Sequence, residues 1–130
     1  MSRIRGVFLV VTVVLIAGSA WAHHNMSALF DFTDRVTLTG TLSRIDWRNP
    51  HILLIVDAKR DANQVQEWSI EGPPPGFFRT RDVNKSDVEM ALGKTVTAEA
   101  SRARDGSNSG LLRVMTLPGG KMLSACPQNC

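Results

Sequence analysis

The sequence predicts an all-β domain, with a small α+β fold as the alternative. The specific prediction is an OB-like five-stranded antiparallel barrel with one short helix between strands 3 and 4. Three observations lead to it. Apolar and polar residues alternate over several short stretches, turn residues separate these stretches, and only the segment between the third and fourth stretches has a helical pattern.

The first strand is predicted over residues 35–46, RVTLTGTLSRID. Val36, Leu38 and Leu42 lie on one face of this strand, and the threonines between them lie on the other. Gly40 interrupts the alternation, and an isolated glycine inside a strand predicts a bend or a bulge. Such a bend is common where a sheet curls into a barrel.

The second and third strands follow a turn at Pro50, which disfavours a helical conformation in the residue before it. Residues 51–58, HILLIVDA, form a nearly continuous apolar run, which is typical of a buried central strand. Residues 64–71, QVQEWSIE, alternate again, and this pattern places Trp68 and Ile70 on the same face. We therefore expect Trp68 to belong to the core.

The connection to the fourth strand contains the predicted helix. Residues 72–82, GPPPGFFRTRD, are predicted to be irregular because three consecutive prolines remove backbone donors and fix φ. Residues 85–93 then predict a short helix. Ser86 is the expected N-cap, Glu89 completes a capping box, and Gly93 ends the helix.

The last two main strands are predicted over residues 94–103 and 111–117, with the turn cluster DGSNSG at residues 105–110 between them. Residues 121–124, KMLS, are long enough to add one further short pairing. The order of three strands, a helix and two strands is the order of an OB-like barrel.

The beginning of the chain predicts export. An apolar run over residues 7–17 follows two arginines, and Ala20-Trp21-Ala22 fits the small-x-small pattern of a signal-peptidase site. The run is shorter than a membrane-spanning helix, and no second candidate span follows it. We therefore predict a cleavable signal peptide over residues 1–22 and a periplasmic or secreted protein that begins at His23.

The mature chain is predicted to be one OB-like domain over residues 23–124, followed by a tail over residues 125–130. The tail holds both cysteines of the chain, Cys126 and Cys130. In an oxidising compartment a local disulfide is the expected state of this pair. A thiolate pair for a soft metal ion and a redox pair are the alternatives.

The charge of the chain argues against a nucleic-acid partner. The formal net charge is +3, and removal of the leader, which contains Arg3 and Arg5 but no acidic residue, lowers it to +1. A nearly neutral exported domain lacks the basic surface that binds phosphate backbones. We expect neither a nucleic-acid partner nor a membrane span after signal cleavage.

Four stretches of the sequence carry a resemblance to a known family. They are HHNMSALFDF, VTLTGTLSRIDWRNPH, EWSIEG and ARDGSNSGLLRVMTLPGGK. Over roughly residues 23–122 the chain resembles a family of small exported bacterial proteins of unknown function, with the motifs HH…FD, GT…W-x-N-P-H and RDGSN-x-G. The resemblance implies export and a β-rich fold, and it implies no catalytic role.

The three histidines of the chain form a candidate copper site. Cleavage after Ala22 would give His23 a free α-amine, which can chelate copper together with the imidazole of the same residue. His51 would supply the third nitrogen of a histidine brace, and His24 is the competing third ligand. Amine and imidazole nitrogens suit Cu(II). The alternative is that His23 and His24 are ordinary residues of a mobile terminus and that His51 only bonds a turn carbonyl.

A second candidate site lies on two loops. OB-like barrels bind extended ligands with the loops that join strands 1 to 2 and strands 4 to 5. In this sequence those loops contain the motifs WRNPH and RDGSNSG. The alternative function is therefore a non-catalytic interaction module for an extended envelope ligand. Its candidate contact residues are Trp47, Asn49, Arg104, Asp105 and Asn108.

The sequence favours a binding protein over an enzyme. The stretch DGSNSG is not a calcium loop, because Thr116 stands at the twelfth position instead of a glutamate. It is not a nucleophile elbow either, because Asn108 occupies the central position. Copper is the only expected cofactor, and a metal ion or an envelope component is the expected partner.

Overall fold

The computed structural model describes residues 25–61 and 64–126 of the chain. The predicted signal peptide lies outside the described residues, and so do His23, His24 and Cys130. Six strands and three short helices are described. In chain order they are α1 (Asn25–Leu29), β1 (Phe30–Asp46), β2 (Ile52–Asp61), β3 (Gln64–Gly72), α2 (Pro75–Arg79), α3 (Lys85–Glu89), β4 (Thr95–Ala103), β5 (Ser109–Thr116) and β6 (Met122–Ser124).

The strands form one closed ring, which confirms the predicted OB-like, mostly β fold. Neighbouring strands follow the order β3-β2-β1-β4-β5-β6, and all these pairings are antiparallel. The ring closes because β3 also pairs with β5 in parallel, over Ser69–Glu71 and Ser109–Leu111. The five predicted strands appear in the predicted order, and β6 is the further short pairing expected near the C-terminus.

β1 is the longest strand because it pairs with both halves of the sheet. It contains 17 residues, and it pairs with β4 through residues 35–41 and with β2 through residues 40–46. Its residues Val36, Leu38 and Leu42 are buried, as the alternation predicts. The long strand therefore holds the two halves of the ring together.

Gly40 lies where β1 passes from one partner strand to the other, and it pairs with both. A Cβ atom at this position would lie 2.3 Å from the carbonyl oxygen of Asp57 and 2.7 Å from the Cα of Ala58. The close approach of the β2 backbone therefore requires glycine here. The predicted bulge is not at Gly40, because the register shifts between Leu42 and Arg44 instead.

The inward faces of the strands enclose one apolar core. Trp68 is 4% exposed and belongs to this core, as predicted. Fully buried side chains of the core include Leu42, Ile52, Leu54, Val56, Ile70, Phe78, Met115 and Leu123. Two of the largest, Phe78 and Met115, come from α2 and β5, so the helical connection contributes to the core as well as the strands.

The connection between β3 and β4 differs from its prediction, because residues 75–79 form a helix instead of irregular chain. Pro75 begins α2, and proline is well accommodated there because the first turn of a helix needs no backbone donor. Phe78 is fully buried beneath this turn, and the ring of Phe77 lies edge-on to it at 5.3 Å. The triple proline thus precedes a short helix whose Phe78 belongs to the core that the strands enclose.

The predicted helix is present as α3, but its cap lies two residues earlier than expected. Asn84 is the N-cap instead of Ser86, and its backbone N–H donates to Asp87 Oδ2 at 2.8 Å. Lys121 lies 2.9 Å from the same oxygen. Both interactions lower the pKa of Asp87, and the Asn84 hydrogen bond is the larger cause. None of the helices in the described part of the chain is long and apolar enough to cross a membrane.

The close approach at Gly40 yields a stability prediction. Gly40→Ala should destabilise the fold by about 1–3 kcal/mol, because the new methyl group would overlap backbone atoms of β2 that cannot move separately. The measurement is urea unfolding of the mature chain, followed by tryptophan fluorescence.

Gly76→Ala is the matched control for this prediction. A Cβ at Gly76 would lie 3.9 Å from its nearest neighbour, the guanidinium of Arg79. Because alanine favours a helix over glycine by about 1 kcal/mol, this variant should be neutral or slightly more stable. Equal unfolding midpoints for the two variants would contradict the packing argument.

Candidate functional site

A cleft of about 430 Å³ opens between the N-terminal segment, strands β2 and β3, and the loop that joins β4 to β5. Its lining residues are Ala28, Leu29, Phe30, Leu53, Ser69, Glu71, Ala103, Arg104, Asp105, Ser107 and Ser109. OB-like barrels bind ligands on the face of strands 2 and 3, beside the loop between strands 4 and 5. The cleft therefore lies at the position where this architecture ordinarily binds.

His51 stands beside this cleft and contacts one of its walls. Antiparallel pairing of Ile52 with Gly72 and of Leu53 with Glu71 brings the start of β2 next to the end of β3. His51 Nδ1 consequently lies 2.5 Å from Glu71 Oε1. The side chains of His51 and Glu71 are 40% and 28% exposed, so the pair remains accessible to solvent.

The contact with Glu71 decides which nitrogen of His51 is available to a ligand. Nδ1 donates to the carboxylate, and this leaves the neutral ring with its lone pair on Nε2. Among the described residues, His51 has no interaction beyond its contact with Glu71. Histidines that bind metals commonly donate their second ring N–H to a carboxylate in this way.

Glu71 is the site residue that the sequence reasoning missed. A glutamate at the polar position of an alternating strand ordinarily faces solvent, and nothing in QVQEWSIE alone distinguishes it. The available signal was the pairing of two adjacent strands. If β2 and β3 form a hairpin, the residue before the first strand meets the residues at the end of the second.

Arg104 ties the N-terminal segment to the end of β4. Its backbone N–H donates to the carbonyl of Leu29 at 2.9 Å, and its Nε donates to the carbonyl of Ser27 at 3.0 Å. Its Nη1 lies 3.1 Å from Asp31 Oδ2. The predicted ligand-contact residue thus lies in the cleft wall, where its guanidinium binds residues of the chain itself.

Asp31 completes this arrangement on the side of β1. Its Oδ1 accepts hydrogen bonds from the hydroxyl of Thr33 at 2.7 Å and from the backbone N–H of Thr33 at 2.9 Å. These two hydrogen bonds are the main reason why the pKa of Asp31 is lowered, and the positive charge of Arg104 lowers it further. Asp31 is therefore an anion that faces Arg104 at neutral pH.

The loop between β4 and β5 contains two more predicted contact residues, Asp105 and Asn108. Asp105 lines the cleft, and its Oδ1 accepts the backbone N–H of Ser107 at 2.9 Å. The side chain of Ser107 lowers the pKa of Asp105 most, and this backbone hydrogen bond lowers it further. Gly106 permits the turn with a φ of 78°. The backbone carbonyl of Asn108 accepts a hydrogen bond from the backbone N–H of Ser69 at 3.0 Å, beside the pairing of β3 with β5 that closes the ring of strands.

Trp47 and Asn49 are not among the residues that line the cleft. The ring of Trp47 packs 5.5 Å from that of Phe78, and Trp47 lines a separate pocket with residues of α2 and α3. Asn49 is exposed in the turn before β2, where the Asn49–Pro50 peptide bond is cis. The five predicted contact residues therefore do not form one surface.

The predicted metal and disulfide residues fall partly outside the described chain. Of the three histidines only His51 is described, and the described residues contain no group of three His, Cys, Asp or Glu side chains that could hold a metal ion. Cys126 follows β6, where its backbone N–H donates to Ser124 Oγ at 3.4 Å. Its pairing with Cys130 stays a prediction, because Cys130 is outside the described residues.

Comparison with known proteins identifies one family. A family model described as a family of unknown function (DUF6152) matches residues 10–113 of the chain. No curated protein and no solved structure matches the chain. The match agrees with the resemblance to a family of unknown function, whereas export and the family motifs stay predictions.

The hydrogen bonds around Asp31 yield a prediction about pH. Because the folded-state pKa of Asp31 lies below its ordinary value of 3.8, Asp31 stabilises the fold above that value and loses this effect as the pH falls through the lowered one. Thr33→Val should raise the pKa more than Arg104→Met does, because Thr33 supplies the larger cause. An NMR titration of the Asp31 carboxyl carbon measures both. The reverse order would show that the charge of Arg104 dominates.

Proposed function

We propose that this chain, which belongs to the family of unknown function DUF6152, is an exported protein that binds copper. Its ligands are the amine and imidazole of His23 and the Nε2 of His51, and His24 is the competing third ligand. The observation that carries the proposal is the contact between His51 Nδ1 and Glu71 Oε1 beside the cleft. No catalytic residue is assigned, so the proposed role is binding.

The contact with Glu71 supports a metal role for His51 in two ways. It fixes the tautomer in which Nε2 carries the lone pair, and it restrains the orientation of the imidazole ring. The same pairing of an imidazole with a carboxylate is common around metal ions bound to proteins.

The path of the N-terminal segment supports His23 as the second part of the site. Ala28 and Glu71 line the same cleft, and His51 contacts Glu71. His23 precedes Ala28 by five residues, and five residues span at most about 17 Å. The new amine is therefore within that distance of Ala28, in the wall of the cleft beside His51.

The charges around the cleft favour a cation. Glu71 and Asp105 line it as carboxylates, and the positive charge of Arg104 is paired with Asp31. Amine and imidazole nitrogens select Cu(II) among the common divalent ions, because Cu(II) has the highest affinity for such donors and accepts a planar arrangement. The predicted signal peptide supports the same proposal, since cleavage is the event that creates the amine.

A second candidate function is an interaction module for an extended envelope ligand. The observation that favours it is the composition of the cleft, which combines the hydroxyls of Ser69, Ser107 and Ser109 with the apolar side chains of Leu53 and Phe30. Polar groups that converge over an apolar floor are typical of ligand sites. Of the predicted contact residues, Arg104 and Asp105 lie in this cleft.

The copper proposal is tested by the position of the N-terminus. A mature chain that begins at His23 should bind Cu(II) with a dissociation constant below about 1 µM, equivalent to −8.2 kcal/mol. A twin with one extra residue before His23 should bind at least about tenfold more weakly, because the amine is then displaced from the imidazole of His23. Isothermal titration calorimetry measures the affinities, and electron paramagnetic resonance counts the nitrogen ligands.

Single substitutions identify the third nitrogen. His51→Ala should remove one nitrogen from the copper spectrum, and Glu71→Gln should weaken binding by about 10–100-fold while all nitrogens remain. His24→Ala is the matched control and should leave the spectrum unchanged. Loss of the third nitrogen only in His24→Ala would assign it to a local chelate. Unchanged binding in the twin would contradict the brace, and weak binding by both chains would favour the interaction module.

A further inference from the structure

A second pocket lies between the residues that follow β1 and the two helices that connect β3 to β4. Its volume is about 330 Å³. Trp47 lines it from the loop between β1 and β2, Pro75 and Arg79 line it from α2, and Lys85 lines it from α3. None of its lining residues belongs to the cleft beside His51, so the two pockets are separate places on the molecule.

Trp47 gives this pocket a fixed aromatic surface. Its ring lies 5.5 Å from the ring of Phe78, which is fully buried, so one part of the indole is held by the core. Trp47 itself is only partly buried, and the surface that remains lines the pocket beside Pro75. An aromatic side chain that is already held in place offers apolar contact area to a ligand at little cost in conformational entropy.

Arg79 gives the pocket a positive charge without a counterion from the chain. Arg79 is exposed at the end of α2, and within residues 25–61 and 64–126 its guanidinium has no ion pair or hydrogen bond. Arg81 differs, because its Nη1 donates to the carbonyl of Phe77 at 2.9 Å and its guanidinium lies 3.7 Å from the centre of the Phe77 ring. Arg79 is therefore the guanidinium of α2 that is available to a ligand.

The other charges around the pocket favour an anion. The lining residues that the structure describes include no aspartate or glutamate. Lys85 adds a second positive charge, which is shared with Glu89 at 3.2 Å. A guanidinium binds a carboxylate with two parallel hydrogen bonds where no carboxylate of the chain competes for it.

We propose that this pocket binds an acidic sugar residue, with the sugar ring against Trp47 and the carboxylate at Arg79. The C–H groups on the face of a sugar ring match the apolar surface of the indole and of Pro75, because the face of an aromatic ring carries negative charge. Asn84 and Ser86 also line the pocket and supply polar groups for the sugar hydroxyls.

The size and the place of the pocket agree with a single sugar ring. Ligand pockets have volumes of about 300–1,000 Å³, and this pocket lies near the lower limit. Trp47 stands in the loop between β1 and β2, which is a loop that oligosaccharide-binding barrels use. The site does not depend on the proposed copper function, because it contains none of the proposed copper ligands.

The test uses the metal-free mature chain and three probes, glucuronate, glucose and acetate. Glucose has the ring without the carboxylate, and acetate has the carboxylate without the ring. Glucuronate should bind with a dissociation constant of about 1 mM, as expected for a ligand of so few atoms. Glucose and acetate should each bind at least about tenfold more weakly, because each lacks one of the two contacts.

Two measurements follow binding. NMR titration locates it through the amide signals of Trp47, Arg79 and Lys85. Fluorescence also reports on it, because the chain after the predicted leader has two tryptophans, and Trp68 is only 4% exposed. The emission that changes on binding should therefore be that of Trp47, and Trp47→Phe should abolish the change while an aromatic ring still packs on Phe78.

Arg79→Gln is the decisive variant, and it should fold because the guanidinium it removes has no partner in the described chain. It should weaken glucuronate binding by about tenfold and leave glucose binding unchanged. Arg44→Gln is the matched control. Arg44 is likewise exposed and without an ion pair among the described residues, but it does not line the pocket. This control should bind glucuronate within about twofold of the parent chain, because solvent and salt screen a charge outside the site.

Four outcomes would overturn the proposal. The first is that glucuronate leaves the signals of the pocket unchanged. Equal binding of acetate and glucuronate would show that the ring makes no contact, and equal binding of glucose and glucuronate would show that the carboxylate makes none. An equal loss in Arg44→Gln and Arg79→Gln would show general attraction between charges. All these measurements are made without Cu(II), so their failure is distinguishable from failure of the copper proposal.

Discussion

The parallel pairing of β3 with β5 is the contact on which the rest of the molecule depends. It involves three residues on each strand, Ser69–Glu71 and Ser109–Leu111, and it converts an antiparallel sheet into a closed ring. The close packing of β5 requires a small residue, since a Cβ at Gly110 would lie 2.8 Å from that of Ala100. The same pairing sets the end of β3 against the loop that begins after β4. The cleft lies between the end of β3, the loop that joins β4 to β5, and the N-terminal segment.

Closure of the ring therefore also assembles the candidate site. Glu71 lies in the pairing itself, and its partner His51 is placed by the hairpin of β2 and β3. Arg104 lies just before the turn into β5 and reaches back to the segment that follows the predicted cleavage point. The hairpin of β2 and β3, the end of β4 and the N-terminal segment are distant in sequence. They meet because β3 pairs with β5. In the proposed function, a copper ion would connect the hairpin of β2 and β3 to the mature N-terminus.

The sequence predicted the strands well because alternation and turn residues report local geometry directly. Val36, Leu38 and Trp68 are buried as expected, and Gly40 is a glycine that the fold requires. The sequence predicted a bend or a bulge at Gly40, whereas the fold requires glycine there because the backbone of β2 approaches closely. This approach cannot be inferred from the residues that neighbour Gly40 in sequence. Local signals also competed at Pro75, where the first turn of a helix tolerates the proline that suggested irregular chain.

The candidate site was harder to predict than the fold because its contacts depend on register. Nothing near Glu71 in sequence identifies His51 as its partner, and a shift of one residue between β2 and β3 would turn the carboxylate to the other face. Arg104 was predicted as a ligand contact from its loop position, whereas the long reach to Ser27 and Asp31 is a property of the folded chain. Trp47 was also predicted as a ligand contact from its loop position, but in the folded chain its ring packs on Phe78.

The central claim is that the folded chain brings its mature N-terminus to His51, and paramagnetic broadening by Cu(II) tests it most directly. In an NMR titration of the chain that begins at His23, a small amount of Cu(II) should broaden the amide signals of Ala28, Leu53 and Glu71 together. The signals of Lys59 and Val65, at the opposite end of the hairpin of β2 and β3, should keep their intensity. Broadening confined to the first residues of the chain, with Leu53 and Glu71 unaffected, would contradict the claim.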